Sequence, residues 1–198
     1  MAQSYIKRIL NAQVYDVARE TPLDAAPLLS ARLGNQAFLK REDLQPVFSF
    51  KCRGAYNKMI HLDEAARAGG VVAASAGNHA QGVALAASKL GIKATIVMPV
   101  TTPLIKVDAV RALGAKVVMH GDSFDEAAVR ARALTESEGF TFIHPFDDPD
   151  VIAGQGTVAV ELVRQAQQPL DYVFVCCGGG GLLAGMAAYL RHVWPQTR

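Results

Sequence analysis

The chain has 198 residues, of which 51% are hydrophobic, 19% charged and 7% aromatic. That is the composition of a globular protein with a sizeable core, and it excludes disordered and collagen-like chains. Twenty Lys and Arg against eighteen Asp and Glu leave a formal charge of +2. No block of like charges occurs, so neither nucleic acid nor an anionic membrane is indicated as a partner.

Ile6, Ile9, Leu10 and Val14 recur at helical spacing and predict an opening amphipathic helix that ends before Thr21-Pro22. Lys7, Arg8, Asp16 and Arg19 interrupt the apolar residues there, which is not a signal peptide's pattern. Cys52, Cys176 and Cys177 are an odd count with two adjacent. They suit neither a disulfide framework nor a CxxC zinc site, and a reducing cytoplasmic compartment is expected.

Short strands are expected next, and from Val71 onward a regular alternation sets in. Strands are predicted at Val71–Ala74, Ala94–Met98, Lys116–His120, Thr141–His144 and Tyr172–Cys176. Helices are predicted at Asn78–Leu90, Leu104–Leu113, Phe124–Ser137, Val151–Gln165 and Leu182–Val193. Gly91 and Gly114 stand at helix stops, and Ser123 with Glu126 spells a capping box. Strand and helix alternating at these lengths predict parallel βαβ units, an α/β fold with helices on both faces of the sheet. Tyr172 to Leu190 carries no charge, but four glycines divide it into strand, loop and helix, which argues against a membrane span.

In open α/β sheets ligands sit at the carboxyl ends of strands, so the loops after Ala74 and Cys176 are the first candidates for chemistry. Gly178, Gly179, Gly180, Gly181 and Leu182 join a predicted strand to a predicted helix. Successive free N–H groups at a helix start form a nest that holds phosphate without a cationic side chain. The same run satisfies G-x-G-x-x-A at Gly179, Gly181 and Ala184, a dinucleotide fingerprint, but it follows the last strand rather than the first. Ser75, Ala76, Gly77, Asn78 and His79 form a second neutral cradle for an anionic oxygen within an uncharged stretch; the plain alternative is a helix cap. Lys51 stands between Phe50 and Cys52, where burial would lower its pKa and free its amine to attack an aldehyde. Together these suggest an aldehyde-bearing phosphorylated cofactor, pyridoxal 5'-phosphate.

The string KREDLQPVFSFKCRGAYN from Lys40 to Asn57, with SAGNHAQG and CGGGGL following in that order, resembles the β-family (fold type II) pyridoxal-phosphate enzymes, and among them the threonine-deaminating branch. The resemblance runs from about Thr21 to the end. It implies parallel sheets flanked by helices in a tryptophan synthase β-like architecture, incomplete on its C-terminal side. Residues 1–58 are then expected to be the first part of a large domain, 59–146 an inserted small domain, and 147–198 the second part of the large one. By the same resemblance Lys51 is the catalytic lysine that condenses with the cofactor aldehyde. Phe50 lies against the cofactor ring, Asn78 bonds its hydroxyl, and Gly178 to Leu182 hold its phosphate. Ser75, Gly77, Asn78 and His79 hold the substrate carboxylate. The residue that contacts the pyridine nitrogen is expected beyond this chain.

The implied activity is removal of ammonia from L-threonine to give 2-oxobutanoate, the entry step of isoleucine synthesis, by a homo-oligomer when complete. L-Serine is a second candidate substrate. Alternatives are a serine dehydratase or racemase of the same family, a cofactor-binding fragment without turnover, and, more remotely, a dinucleotide enzyme. No metal site is expected, because His61, His79, His120, His144 and His192 show no ligand pairing. Asp147, Asp148 and Asp150 around Pro149 read as a solvated turn leading into a helix.

Overall fold

The computed structural model describes residues 2–198, with side chains from residue 5 onward. The chain opens with α1 (Ala2–Leu10), then forms a small antiparallel hairpin of β1 (Leu23–Ala25) and β2 (Phe38–Lys40) around α2 (Pro27–Leu33). The first helix is shorter than its apolar spacing predicts. Asn57 captures the N–H of Gln13 at 2.8 Å, and Val14 enters the core from a loop rather than from a helical face.

A short 3-10 turn at Glu42–Leu44 leads to α3 (Lys51–Ile60) and α4 (Glu64–Gly69). The alternation that follows is β3 (Val71–Ala74), α5 (Asn78–Leu90), β4 (Ala94–Met98), α6 (Leu104–Ala112), β5 (Lys116–Met119), α7 (Phe124–Glu138) and β6 (Thr141–Phe142). Then α8 (Pro149–Gln165) and α9 (Gly181–Val193) complete the described chain. Gly91 ends α5 in the left-handed region, as its sequence position predicts. Ser123 caps α7, although the Glu126 carboxylate takes the N–H of Asp122 instead of closing the capping box on Ser123.

The four strands β5, β4, β3 and β6 form one parallel sheet in that order. Its residues alternate between two cores: Val71, Ala73, Ile96 and Met98 pack toward α3 and α5, while Val72, Ala74 and Val97 pack against Ala127, Ala131 and Leu134 of α7. A central parallel strand is buried on both faces, which is why these segments read as continuous apolar runs. The order reverses at β3: the chain moves outward to β4 and β5, then returns to the far side of β3 as β6. Such a switch point opens a crevice beyond the carboxyl ends of β3 and β6.

Two expected strands differ. β6 stops at Phe142, because His144 and Pro145 turn the chain away. Tyr172–Cys176 forms no ladder, since no strand lies alongside it among the described residues; Val173 gives its N–H to the Arg198 carbonyl at 2.7 Å, and Arg198 gives its own N–H to the Asp171 carbonyl at 2.9 Å. Phe174 is consequently 95% exposed.

α3, α8 and α9 pack closely, and the approach of α3 to α8 needs glycine. A Cβ on Gly154 would stand 2.7 Å from the Cα of Gly54. Beside this contact lies a charge cluster that the sequence did not announce. Arg53, fully buried, donates to Glu161 at 2.6 and 3.0 Å, to Glu42 at 2.8 Å and to Thr157 at 3.1 Å. Glu161 also accepts from Lys40 at 2.6 Å and from Tyr15 at 2.9 Å. Burial opposes the charge on Glu161, but the Arg53 and Lys40 bonds outweigh it, and its pKa falls below the ordinary value. Among the described helices none is long and apolar enough to cross a membrane.

Candidate active site

Three helices begin around the crevice. Lys51 is the first residue of α3, Asn78 the first of α5 and Gly181 the first of α9, and none of these starts has a capping side chain. Asp63, Ser123 and Asp148 cap α4, α7 and α8, while α2 and α6 also start without a side-chain cap. The acidic turn around Pro149 is thus a helix start, with Asp148 further bound to Lys58 at 2.8 Å. Uncapped starts leave N–H donors and a partial positive charge available to an anion.

Lys51 is half-buried. Its Nζ lies 5.6 Å from the Phe50 ring centroid and donates to the Pro145 carbonyl at 2.6 Å. Burial lowers its pKa, with Cys176 acting in the opposite sense, so the amine is more readily neutral than an exposed lysine. The loop before it is strained: Phe48 has φ of +56°, a conformation bulky side chains rarely adopt. The buried Gln45 holds that turn through its carbonyl, 2.8 Å from the Phe48 N–H, while its side chain bridges Arg19 and Glu42.

The second motif meets the first through Gly82. A Cβ there would stand 2.9 Å from the carbonyl carbon and oxygen of Lys51, so α5 and α3 touch at that point. Asn78 lies one turn before Gly82 on the same helix face, and its amide has no side-chain partner among the described residues. Ser75 accepts the N–H of Gly77 at 3.2 Å. His79 points inward rather than into the crevice. It is 3% exposed, its Nε2 donates to the Ile143 carbonyl at 2.9 Å, and burial pushes its pKa down to about 3, so it remains neutral.

The glycine loop has two faces. On one, Gly179 and Gly181 pack against Phe146, whose ring and backbone leave no room for a Cβ at either. On the other, Gly178 and Gly180 look onto open space, with Gly180 at φ of +88°. Half of the glycine requirement is therefore packing, and half is an open cradle. Residues 143–146, which the sequence marked only as a strand end, lie between Lys51 and this loop.

The sequence profile of the family described as "Pyridoxal-phosphate dependent enzyme" matches residues 14–198. The chain belongs to the pyridoxal-phosphate dependent enzymes. It is 60% identical over 197 residues to the "Threonine dehydratase biosynthetic, chloroplastic" of Arabidopsis thaliana, covering all of this chain and 33% of that protein. It is 58% identical over 200 residues to the biosynthetic L-threonine dehydratase of Burkholderia multivorans, covering 39% of it. The chain thus spans between about a third and two fifths of the length of these curated relatives. Its structure superposes on the processed form of threonine deaminase isoform 2 from Solanum lycopersicum with a TM-score of 0.96 at 53% identity, covering the whole chain and 57% of that one. Maize serine racemase gives a TM-score of 0.90 at 34% identity, with 58% of its chain covered. The fold is that of the type II enzymes expected from the sequence.

The family's cofactor is pyridoxal 5'-phosphate, and the residues present fit it. The open face of Gly178 and Gly180 at an uncapped helix start suits a phosphate, and a lysine of lowered pKa suits an aldehyde. Among the described residues no three His, Cys, Asp or Glu side chains cluster as a metal site requires.

Proposed function

We propose that this chain carries the catalytic lysine and phosphate loop of a lyase that converts L-threonine to 2-oxobutanoate and ammonia, the first step of isoleucine synthesis. The observation that carries the reading is Lys51, its amine favoured toward the neutral form, set between the uncapped starts of α5 and α9. The names of relatives at 58 to 60% identity support threonine as the substrate.

In this reading Gly178 to Leu182 hold the cofactor phosphate, Asn78 the ring hydroxyl, and Phe50 one side of the ring. The bound cofactor supplies an electron sink for the bond broken at the substrate Cα. Ser75, Gly77 and Asn78 bind the substrate carboxylate with neutral donors at the start of α5. His79 supports that loop from behind through Ile143. The Lys51 Nζ accepts the Cα proton, a task for which a lowered pKa suits it. The Pro145 carbonyl accepts from the amine, and the half-burial of Lys51 limits water around it.

Residues 59–146 contain the whole parallel sheet, which supports their assignment as a small inserted domain, with 1–58 and 147–198 as parts of the large one. That first boundary falls in the last turn of α3, so the linker is better placed at His61–Asp63. A homo-oligomer is our expectation for the complete enzyme. We place it in a reducing compartment, the cytoplasm or an organelle such as those named for plant and yeast relatives, which suits three free cysteines.

The test is to supply the full-length protein with pyridoxal phosphate, reduce it with borohydride, locate the labelled lysine by peptide mass spectrometry, and assay keto acid from threonine. Label at Lys51 with 2-oxobutanoate formation is expected; label elsewhere refutes the assignment. The similarity to maize serine racemase supports a second reading, and chiral analysis of serine incubations separates it by the appearance of D-serine.

A further inference from the structure

The segment between β6 and α8 touches all three motifs. Its Ile143 carbonyl takes the His79 N–H, its Pro145 carbonyl takes the Lys51 amine, and Phe146 packs on Gly179 and Gly181. The His144 ring gives this short span its shape. Nδ1 accepts the N–H of Phe146 at 3.3 Å and that of Asp147 at 2.8 Å. Two donors on one ring nitrogen require it to be unprotonated, which places the hydrogen of the neutral ring on Nε2. The ring sits edge-on to Phe142 and Phe146, with centroids 6.0 and 4.7 Å away.

We propose that His144 is a positioning residue for Lys51: its neutral ring folds residues 144–147 into the turn that aims the Pro145 carbonyl at the ε-amine, and protonation of Nδ1 dissolves that turn. His144 acts through Pro145 and does not itself touch the amine. Charged groups face it from each neighbouring element. Asp147 in the turn and Asp148 at the start of α8 favour its charged form, while Arg132 of α7 and Lys51 of α3 oppose it; His79 of α5 stays neutral beside it. Burial is the largest influence, and the net effect holds His144 below the ordinary imidazole range. The turn is therefore intact at neutrality and is lost on acidification.

This inference rests on the assignment of Lys51 to the cofactor, and one experiment separates the two. The full-length enzyme, stripped of cofactor, is given pyridoxal phosphate and cyanoborohydride at a series of pH values, and labelled Lys51 is counted by mass spectrometry against time. His144→Asn keeps an oxygen that accepts the same N–H groups without titrating. His144→Ala removes the acceptor.

Wild type is expected to lose labelling on acidification more steeply than the single proton on Lys51 accounts for. His144→Asn should keep the wild-type rate above neutrality and show only the single-proton dependence. His144→Ala should label about tenfold more slowly than wild type above neutrality, the effect of losing roughly one backbone hydrogen bond, and should converge on the wild-type rate in acid, with faster amide exchange at Asp147. His79 is common to all three proteins, so its titration cancels in the comparison. A steep acid limb surviving in His144→Asn, or labelling of His144→Asn as slow as that of His144→Ala, overturns the proposal. Wild-type labelling by His144→Ala does the same. If His144→Ala does not fold, the acid limb of His144→Asn decides alone. No label at Lys51 in the wild type overturns the cofactor assignment, and the proposal with it.

Discussion

Lys51 and Pro145, 94 positions apart in the chain, are joined by a 2.6 Å hydrogen bond from amine to carbonyl. The bond ties the first residue of α3 to the loop that leaves the parallel sheet. Lys51→Ala should remove it and abolish both the borohydride-trapped adduct and keto-acid formation in the full-length enzyme. Normal turnover by that variant would end the assignment.

Gly82 sets the spacing between the lysine helix and the helix that begins at Asn78. Gly82→Ala puts a methyl 2.9 Å from the Lys51 carbonyl group, a backbone neighbour that cannot turn aside. A loss of about 1–3 kcal/mol in a urea titration is expected, with slower labelling of Lys51.

The two faces of the glycine loop should separate in mutagenesis. Gly179→Ala collides with the Phe146 ring and should lower stability, whereas Gly178→Ala meets nothing within 4 Å. Its added methyl occupies the open face, so cofactor affinity should fall while the melting temperature holds. Equal effects of the two on melting would contradict this division.

Acid stability should reflect two buried groups. His79 has an ordinary value of 6.5 and a folded value of about 3, so the unfolded chain binds the proton first. Stability is complete above pH 6.5 and declines as pH falls toward about 3. Glu161 has a lowered folded pKa, so its contribution is present above its ordinary 4.5 and is lost as pH falls through the folded value. His79→Gln, which can still donate to Ile143, should flatten the upper part of this profile in pH-dependent urea melts.

Much of the fold was legible because strands buried on both faces leave apolar runs, and helix stops such as Gly91 leave glycine. Tyr172–Cys176 misled for a physical reason: its residues suit a strand, but a strand exists only with a ladder partner. Val14 misled because periodicity cannot tell a core residue in a loop from one on a helix. Of the candidate site, Lys51, the glycine loop and the Ser75–His79 turn stood out because each breaks a compositional habit. His144 and Phe146 did not, since what they do depends on the switch point bringing the end of β6 beside α3. Nor could the sequence show that His79 points inward, because a histidine in a first helical turn looks the same in either orientation.

The Arg53–Glu161 pair has a consequence for how substitutions combine. Tyr15, Lys40, Glu42, Arg53, Thr157 and Glu161 come from separated stretches of chain yet share protons and charge in one place. Glu161→Gln alone should cost about 3–5 kcal/mol, because buried Arg53 keeps its charge with one of its two carboxylate partners neutralised. Once that penalty has been taken, losing Arg53 as well adds little, and a double-mutant cycle between the two should close far from additivity. Drift at any of these positions is therefore conditional on the others, and tolerance measured one residue at a time will understate which combinations the fold accepts.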